Sequence, residues 1–252
     1  MQRLIMLVVV FALNLHAESG IIKSLQSQFE NNSTQRAKIQ SILQKHGINF
    51  EVLEVHNLTH GLSFVVVGDK EGHKNSLFST NDGEVIFHTQ AVFSLDRAFD
   101  TKLETLHQEL YEEQRKRVDS QVLEIFKNYT DAVISFKAKT ASKKTFYIVS
   151  DPNCPYCHKE LERLPMLLED ANVKMLVVGF LGENSLQKAS VILEKRGADE
   201  KANLVLLQQL YTKDKKQNLS YQKKQLEKAL QITRALSDSG INGVPYIIER
   251  DN

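Results

Sequence analysis

Apolar residues change their spacing twice along this chain, and each change marks a different kind of structure. Between Thr34 and His46, Ile39, Ile42 and Leu43 recur at helical spacing, and Gly47 closes the run. Short β-prone stretches follow at Phe50–Val55, Leu62–Gly68, Ser76–Ser79 and Glu84–His88. Turn residues separate them at Thr59-His60-Gly61, Asp69 to Gly72 and Asn81-Asp82-Gly83. The pattern predicts a four-stranded antiparallel meander beside one helix, an α+β module. From Leu95 to Tyr129 there is neither Gly nor Pro. Phe99, Leu103, Leu106 and Leu110 form one apolar stripe, and Val122, Ile125 and Phe126 another, with the charged run Tyr111–Arg117 between them. This predicts one long helix, docked at each end and solvated in the middle, about 45–50 Å long at 1.5 Å per residue. A break near Asp119, giving two helices, is the alternative.

The remaining chain alternates. Val133–Phe136 is apolar, and Lys144–Val149 reads as a buried strand. Ser150-Asp151-Pro152-Asn153 is a turn, and from Pro155 the spacing is helical through Leu161, Leu164, Leu167 and Leu168. Val173–Leu181 is a second strand, parallel to the first through the intervening helix, so the segment is a βαβ unit. Ser185 to Ser239 keeps helical spacing throughout, and Gly243-Val244-Pro245-Tyr246-Ile247-Ile248 leads into a last apolar strand.

The first residues form an export leader by pattern. Arg3 is its positive end, Leu4–Leu15 its apolar stretch, and Leu15-His16-Ala17 its cleavage site. The stretch is too short to span a bilayer, although an uncleaved anchor is an alternative; no later segment approaches that length. The leader implies an oxidising compartment for the mature chain. Setting Arg3 aside leaves 31 basic against 31 acidic residues, a balance that favours neither nucleic acid nor anionic lipid as a partner. The charged run in the long helix reads as a solvated face. His56, His60, His73 and His88 read as scattered surface histidines without tight ligand spacing, so no metal site is expected.

Cys154 and Cys157 are the only cysteines. At a spacing of i, i+3 they can bridge only each other, and that loop is too short to staple a fold. A reversible dithiol/disulfide couple explains them better. Pro155 suits the first turn of a helix, which places Cys154 at the helix start, where the dipole favours a thiolate. Cys157 lies one turn inside, more buried, and suits the resolving role. Three other readings stay open. A zinc site would need about four ligands. Cys154-x-x-Cys157-His158 matches a c-type haem attachment pattern. The pair can also be two plain structural thiols. His158 is either a solvated first-turn residue or a group that helps hold Cys154 as thiolate. A proline opening a strand, as Pro245 does, suggests a cis bond or an edge position.

A strand–CxxC–helix unit followed later by X-Pro-strand resembles the thioredoxin superfamily, in which a cis-proline loop packs against the cysteines and helps bind substrate. The whole arrangement resembles the periplasmic disulfide isomerases of the DsbC/DsbG type. Ser150-Asp151-Pro152-Asn153-Cys154-Pro155-Tyr156-Cys157 with Leu176-Val177-Val178-Gly179 is nearest to DsbG, and Tyr156-Cys157-His158 is similar to DsbC. The resemblance implies a leader over residues 1–17, a cystatin-like dimerisation module over 18–92, a linker helix over 93–130 and an α/β thioredoxin-like domain with a helical insertion over 131–252. It also implies a V-shaped homodimer whose active sites face a shared cleft. Catalysis would fall to Cys154 and Cys157, supported by Pro155, Tyr156, His158, Val244 and Pro245, with no cofactor beyond their redox-active disulfide. The partners implied are unfolded or misoxidised exported proteins and a membrane redox partner of the thiol–disulfide relay. Two departures matter. Val244 stands where the isomerases usually have Thr and is typical of the oxidase DsbA, so a dimeric oxidase is an alternative, as is a chaperone with secondary redox activity. The sequence stops at Asn252, so the strand and helix that usually complete the fold are expected to be missing or cut off.

Overall fold

A computed structural model describes residues 32–89, 91–212 and 219–251. The leader expected over residues 1–17 lies outside the described residues, as does the start of the expected dimerisation module. The chain divides into two compact units, Met1–Gln114 and Arg115–Asn252. No helix among the described residues is long and apolar enough to cross a membrane.

In the first unit, helix α1 spans residues 32–45 and a sheet follows in the order β1(Glu51–Asn57), β2(Leu62–Gly68), β3(Lys74–Thr80) and β4(Ile86–Phe87), antiparallel throughout. Strand β2 is the centre, because its side chains alternate between two apolar layers. Val65 and Val67 pack with Ile39, Leu43 and Val52 on one side. Phe64 and Val66 pack on the other with Phe78 and with Phe99, Leu103 and Leu106 of α2(Arg97–Asn128). Buried Gln35 pins α1 to the sheet by donating to Ser63 Oγ at 2.8 Å and to the Thr80 carbonyl at 3.0 Å. Strand β4 is shorter than the expected Glu84–His88. Asp82 accepts the Glu84 N–H and Thr80 Oγ1 the Val85 N–H, so the turn takes those donors and pairing starts at Ile86.

Helix α2 runs unbroken for 32 residues, about 48 Å, without the break considered near Asp119. Asp96 caps its start by accepting the N–H groups of Ala98 and Phe99. Asp119 stays helical and accepts the Tyr246 hydroxyl at 2.7 Å.

The second unit takes the rest of α2, a 3₁₀ turn at Thr130–Ala132, then β5(Ile134–Phe136), β6(Lys144–Ser150), α3(Pro155–Leu167), β7(Asn172–Val177), α4(Glu183–Lys195), α5(Glu200–Leu210), α6(Lys223–Asp238) and β8(Tyr246–Asp251). Its sheet order is β5-β7-β6-β8, with β6 and β7 parallel and both outer strands antiparallel to their neighbours. Two expectations are corrected. Strand β7 ends at Val177 rather than Leu181, because the Gly179 N–H goes to Thr233 Oγ1 and the Leu181 N–H to Asp151. The continuous helical stretch expected over Ser185–Ser239 is three helices among the described residues. Arg196 is extended, and Asp199 restarts the helix by capping the N–H groups of Lys201 and Ala202.

Gly179 marks the tightest approach, since a Cβ there would lie 2.5 Å from Leu186 Cα and 2.7 Å from Leu186 N. That clash is with the backbone of α4, not with a flexible side chain. Gly179→Ala should therefore cost about 1–3 kcal/mol, the usual range for overpacking. Urea unfolding should show a lower midpoint at unchanged slope; an unchanged midpoint would contradict the packing described.

Candidate active site

The site begins where β6 ends. Asp151 has no exposed surface, and its carboxylate accepts the Asn153 N–H at 2.8 Å, the Leu181 N–H at 2.9 Å and the Ser185 hydroxyl. Its carbonyl accepts the Cys154 N–H at 3.1 Å, which closes the turn and leaves Cys154 extended as the N-cap of α3. Pro155 follows at the first helical position, where it needs no N–H partner, and is exposed. A second layer of polar contacts backs the turn. Fully buried Lys188, on α4, donates to Asn153 Oδ1 at 3.0 Å and to the Thr212 carbonyl at 2.8 Å. Asn153 Nδ2 in turn donates to Asn184 Oδ1 at 3.1 Å.

The two sulfurs have different surroundings. Both cysteines are free thiols; Cys154 is 5 % exposed and Cys157 0 %. Cys154 sits at the positive end of α3 and its thiol donates to the Val244 carbonyl at 3.3 Å. That partner arrives because β8 pairs antiparallel with β6 from Tyr246 opposite Val149, which sets the cis Val244–Pro245 turn at the same end of the sheet. The Val244 contact is thus made by its backbone, a kind of contact its side-chain type does not reveal. Cys157 accepts the Asp151 N–H at 3.3 Å. Burial pushes the Cys157 thiol up to about 12; the Asp151 N–H and the Ser150 hydroxyl oppose the rise, and neighbouring Cys154 adds to it.

Of the other expected site residues, Tyr156 is exposed at the mouth, with Lys159 Nζ 5.6 Å from its ring centre. His158 is half-buried and donates from Nε2 to the Pro152 carbonyl at 2.7 Å, so it braces the turn in addition to flanking the pair. Its ring lies 5.7 Å from that of Tyr211. The sequence reading missed Ser150 and Asp151 as more than turn formers, and it missed Lys188 and Tyr211 altogether. Of the four surface histidines, one belongs to a cluster with two acidic residues. His73 shares the β2–β3 turn with Asp69 and Glu71, with one ligand-type atom of each within 4.8 Å of the others.

Chemically, the arrangement offers one nearly buried thiol at a helix N-terminus and, one turn behind it, a fully enclosed second thiol that burial keeps protonated. Iodoacetamide at about pH 8 should add once to the folded protein, at Cys154, and reach Cys157 only after unfolding. Peptide mapping that finds both thiols labelled at equal rates would contradict the asymmetry.

Comparison with known proteins adds a family. Residues 38–122 match the family described as "Disulfide isomerase DsbG N-terminal". The solved structure of DsbG from Helicobacter pylori is 27 % identical, covers 84 % of this chain and 99 % of its own, and superposes with a TM-score of 0.51. A linker-deletion mutant of ScsC from Proteus mirabilis is 23 % identical over 64 % of this chain and 90 % of its own, with a TM-score of 0.44. The thiol–disulfide exchange protein α-DsbA2 from Wolbachia pipientis is 14 % identical over 56 % and 88 %, with a TM-score of 0.43. No curated protein matches the chain. Residues 38–122 thus match a DsbG-type N-terminal module, and the chain is similar in fold to the DsbC/DsbG-type, thioredoxin-like thiol–disulfide proteins.

Proposed function

We propose that this protein is a periplasmic disulfide isomerase or reductase that acts on exported proteins through Cys154 and Cys157. The observation that carries the reading is the asymmetry of the pair: a slightly open thiol at the N-cap of α3 and an enclosed one held by the Asp151 N–H. The Cys154 thiolate attacks a substrate disulfide, forms a mixed disulfide and expels one substrate thiolate. Release follows by either of two routes. A substrate thiol attacks the mixed disulfide and leaves a rearranged bond, or Cys157 attacks Cys154 Sγ and leaves a reduced substrate and a Cys154–Cys157 disulfide. No cofactor is needed beyond that disulfide. Tyr156, exposed beside the sulfurs, and the Val244–Pro245 turn are suited to hold the substrate chain.

The chemistry is reversible, so potential and redox partner decide its direction. Val244, in place of the threonine usual in the isomerases, favours an oxidase as the second reading. A membrane-bound relay protein would restore the working state of the pair. Periplasmic location rests on the leader read in residues 1–17. Replacing Cys157 with Ala should trap Cys154-linked mixed disulfides with exported proteins, visible on non-reducing gels, whereas Cys154→Ala should trap none. Trapping by neither variant, with full activity retained by the double variant, would favour a chaperone.

The protein is proposed to act as a homodimer through residues 18–92. Support comes from Ile48, Val85 and Phe87, large apolar residues left exposed around the edge strand β4, and from an apolar groove of about 450 Å³ lined by Leu43, Phe50, Leu77 and Ile86. Light scattering of the mature chain at micromolar concentration should give twice the monomer mass; a monomer would rule the dimer out.

A further inference from the structure

Resting on this exchange reading, we infer that Tyr211 and Ser150 are positioning residues for the resolving step: a hydroxyl chain that stabilises the Cys157 thiolate as it attacks. Three observations compose the chain. Ser150, the last residue of β6, is 1 % exposed, and its hydroxyl is one of the groups that oppose the upward push of burial on the Cys157 thiol. Tyr211, directly after α5, donates its hydroxyl to Ser150 Oγ at 2.8 Å. The Asp151 N–H reaches the same sulfur at 3.3 Å. With the Tyr211 proton on Ser150 Oγ, the Ser150 proton is free to point at sulfur. Burial holds the Tyr211 hydroxyl well above its ordinary range, so it stays a donor at any working pH.

The resolving step requires such a device. A thiol enclosed as Cys157 is has no water to solvate its thiolate, and an anion without donors is costly in a dry site. As the step proceeds, Cys157 gives up its proton and its thiolate attacks Cys154 Sγ. The Cys154–Cys157 bond forms, the Cys154–substrate bond breaks, and the departing substrate thiolate takes up a proton. The protein dithiol is oxidised by two electrons and the substrate disulfide is reduced by two. While charge sits on Cys157, the Asp151 N–H and the Ser150 O–H point at it, and Tyr211 polarises Ser150 from behind. The other ionisable groups around Cys157 are Cys154 on α3 and Asp151 at the end of β6, with His158 against the Tyr211 ring and Lys188 of α4 reaching Asn153. None of these bonds Ser150 Oγ among the described contacts, so the hydroxyl chain can be removed without touching them. Among the described contacts the Tyr211 hydroxyl has one further hydrogen-bond neighbour, Met175 Sδ at 4.0 Å.

The test uses the reduced full-length protein and 5,5′-dithiobis(2-nitrobenzoate), which releases one coloured thiolate when Cys154 attacks and a second when Cys157 displaces the adduct. In stopped flow, Tyr211→Phe and Ser150→Ala should leave the first phase unchanged. Each should slow the second about tenfold and move its pH profile up by about one unit, the shift that corresponds to a tenfold change in thiolate population. The double variant should be no slower than Ser150→Ala alone, because the two hydroxyls act in series. Tyr211→Phe keeps the ring and its packing; if Ser150→Ala does not fold, Tyr211→Phe decides alone. A second phase at wild-type rate with an unshifted profile would overturn the inference, and so would equal slowing of both phases. Absence of a first phase in the wild-type protein would instead overturn the exchange reading on which the inference rests.

Discussion

A carboxylate without solvent contact, Asp151, holds the candidate site together. Burying such a group is unfavourable unless donors surround it. Here the donors come from three places: the turn itself through Asn153, the segment after β7 through Leu181, and α4 through Ser185. Satisfying that one group therefore fixes where β6, β7 and α4 meet. The backbone of the same residue then serves the cysteines. Its carbonyl takes the Cys154 N–H and its N–H reaches the Cys157 sulfur. Fold and chemistry share a residue, so a change at Asp151 would disturb both.

The same logic of mutual dependence explains the asymmetry of the thiols. The sheet register, Val149 opposite Tyr246, brings the Val244 carbonyl to Cys154. The apolar packing of α3 through Leu161 and Leu164 draws Cys157 into the core with them. One sulfur thus meets a rim of backbone and the other a closed interior with a few aimed donors. Neither environment requires an unusual residue next to the pair; both follow from a strand running into a helix beside an incoming strand.

Much of this was legible in the sequence because it is written in spacing. The alternation in β2, the stripes of α2 and the strand-turn-helix around Cys154 depend on periodicities that a chain displays directly. Helix boundaries inside Ser185–Ser239 were legible only in part: Gly197 and Asp199 mark the break after α4, but the helical groups Ala189–Leu193 and Leu204–Leu210 on either side were read as one stretch. The polar support of the site was least legible. Lys188 sits among Ala189, Ile192 and Leu193 on a helix whose lysines ordinarily face water, and only the fold shows it pointing at Asn153. Tyr211 lies 54 residues after Cys157 in sequence, and no local pattern connects it to Ser150. The contact of Cys154 with Val244 is to a carbonyl, which every residue carries, so side-chain chemistry gave no hint of it.

The proposed exchange requires that Cys154 and Cys157 form one reversible two-electron couple. It is tested most directly by equilibrating the mature protein in glutathione buffers of stepped ratio, quenching with acid and counting free thiols by mass. The account predicts a single transition from two free thiols to none, with Cys154 linked to Cys157 and no lasting glutathione adduct. Two thiols persisting at every ratio, or an adduct on Cys154 that never closes onto Cys157, would contradict it.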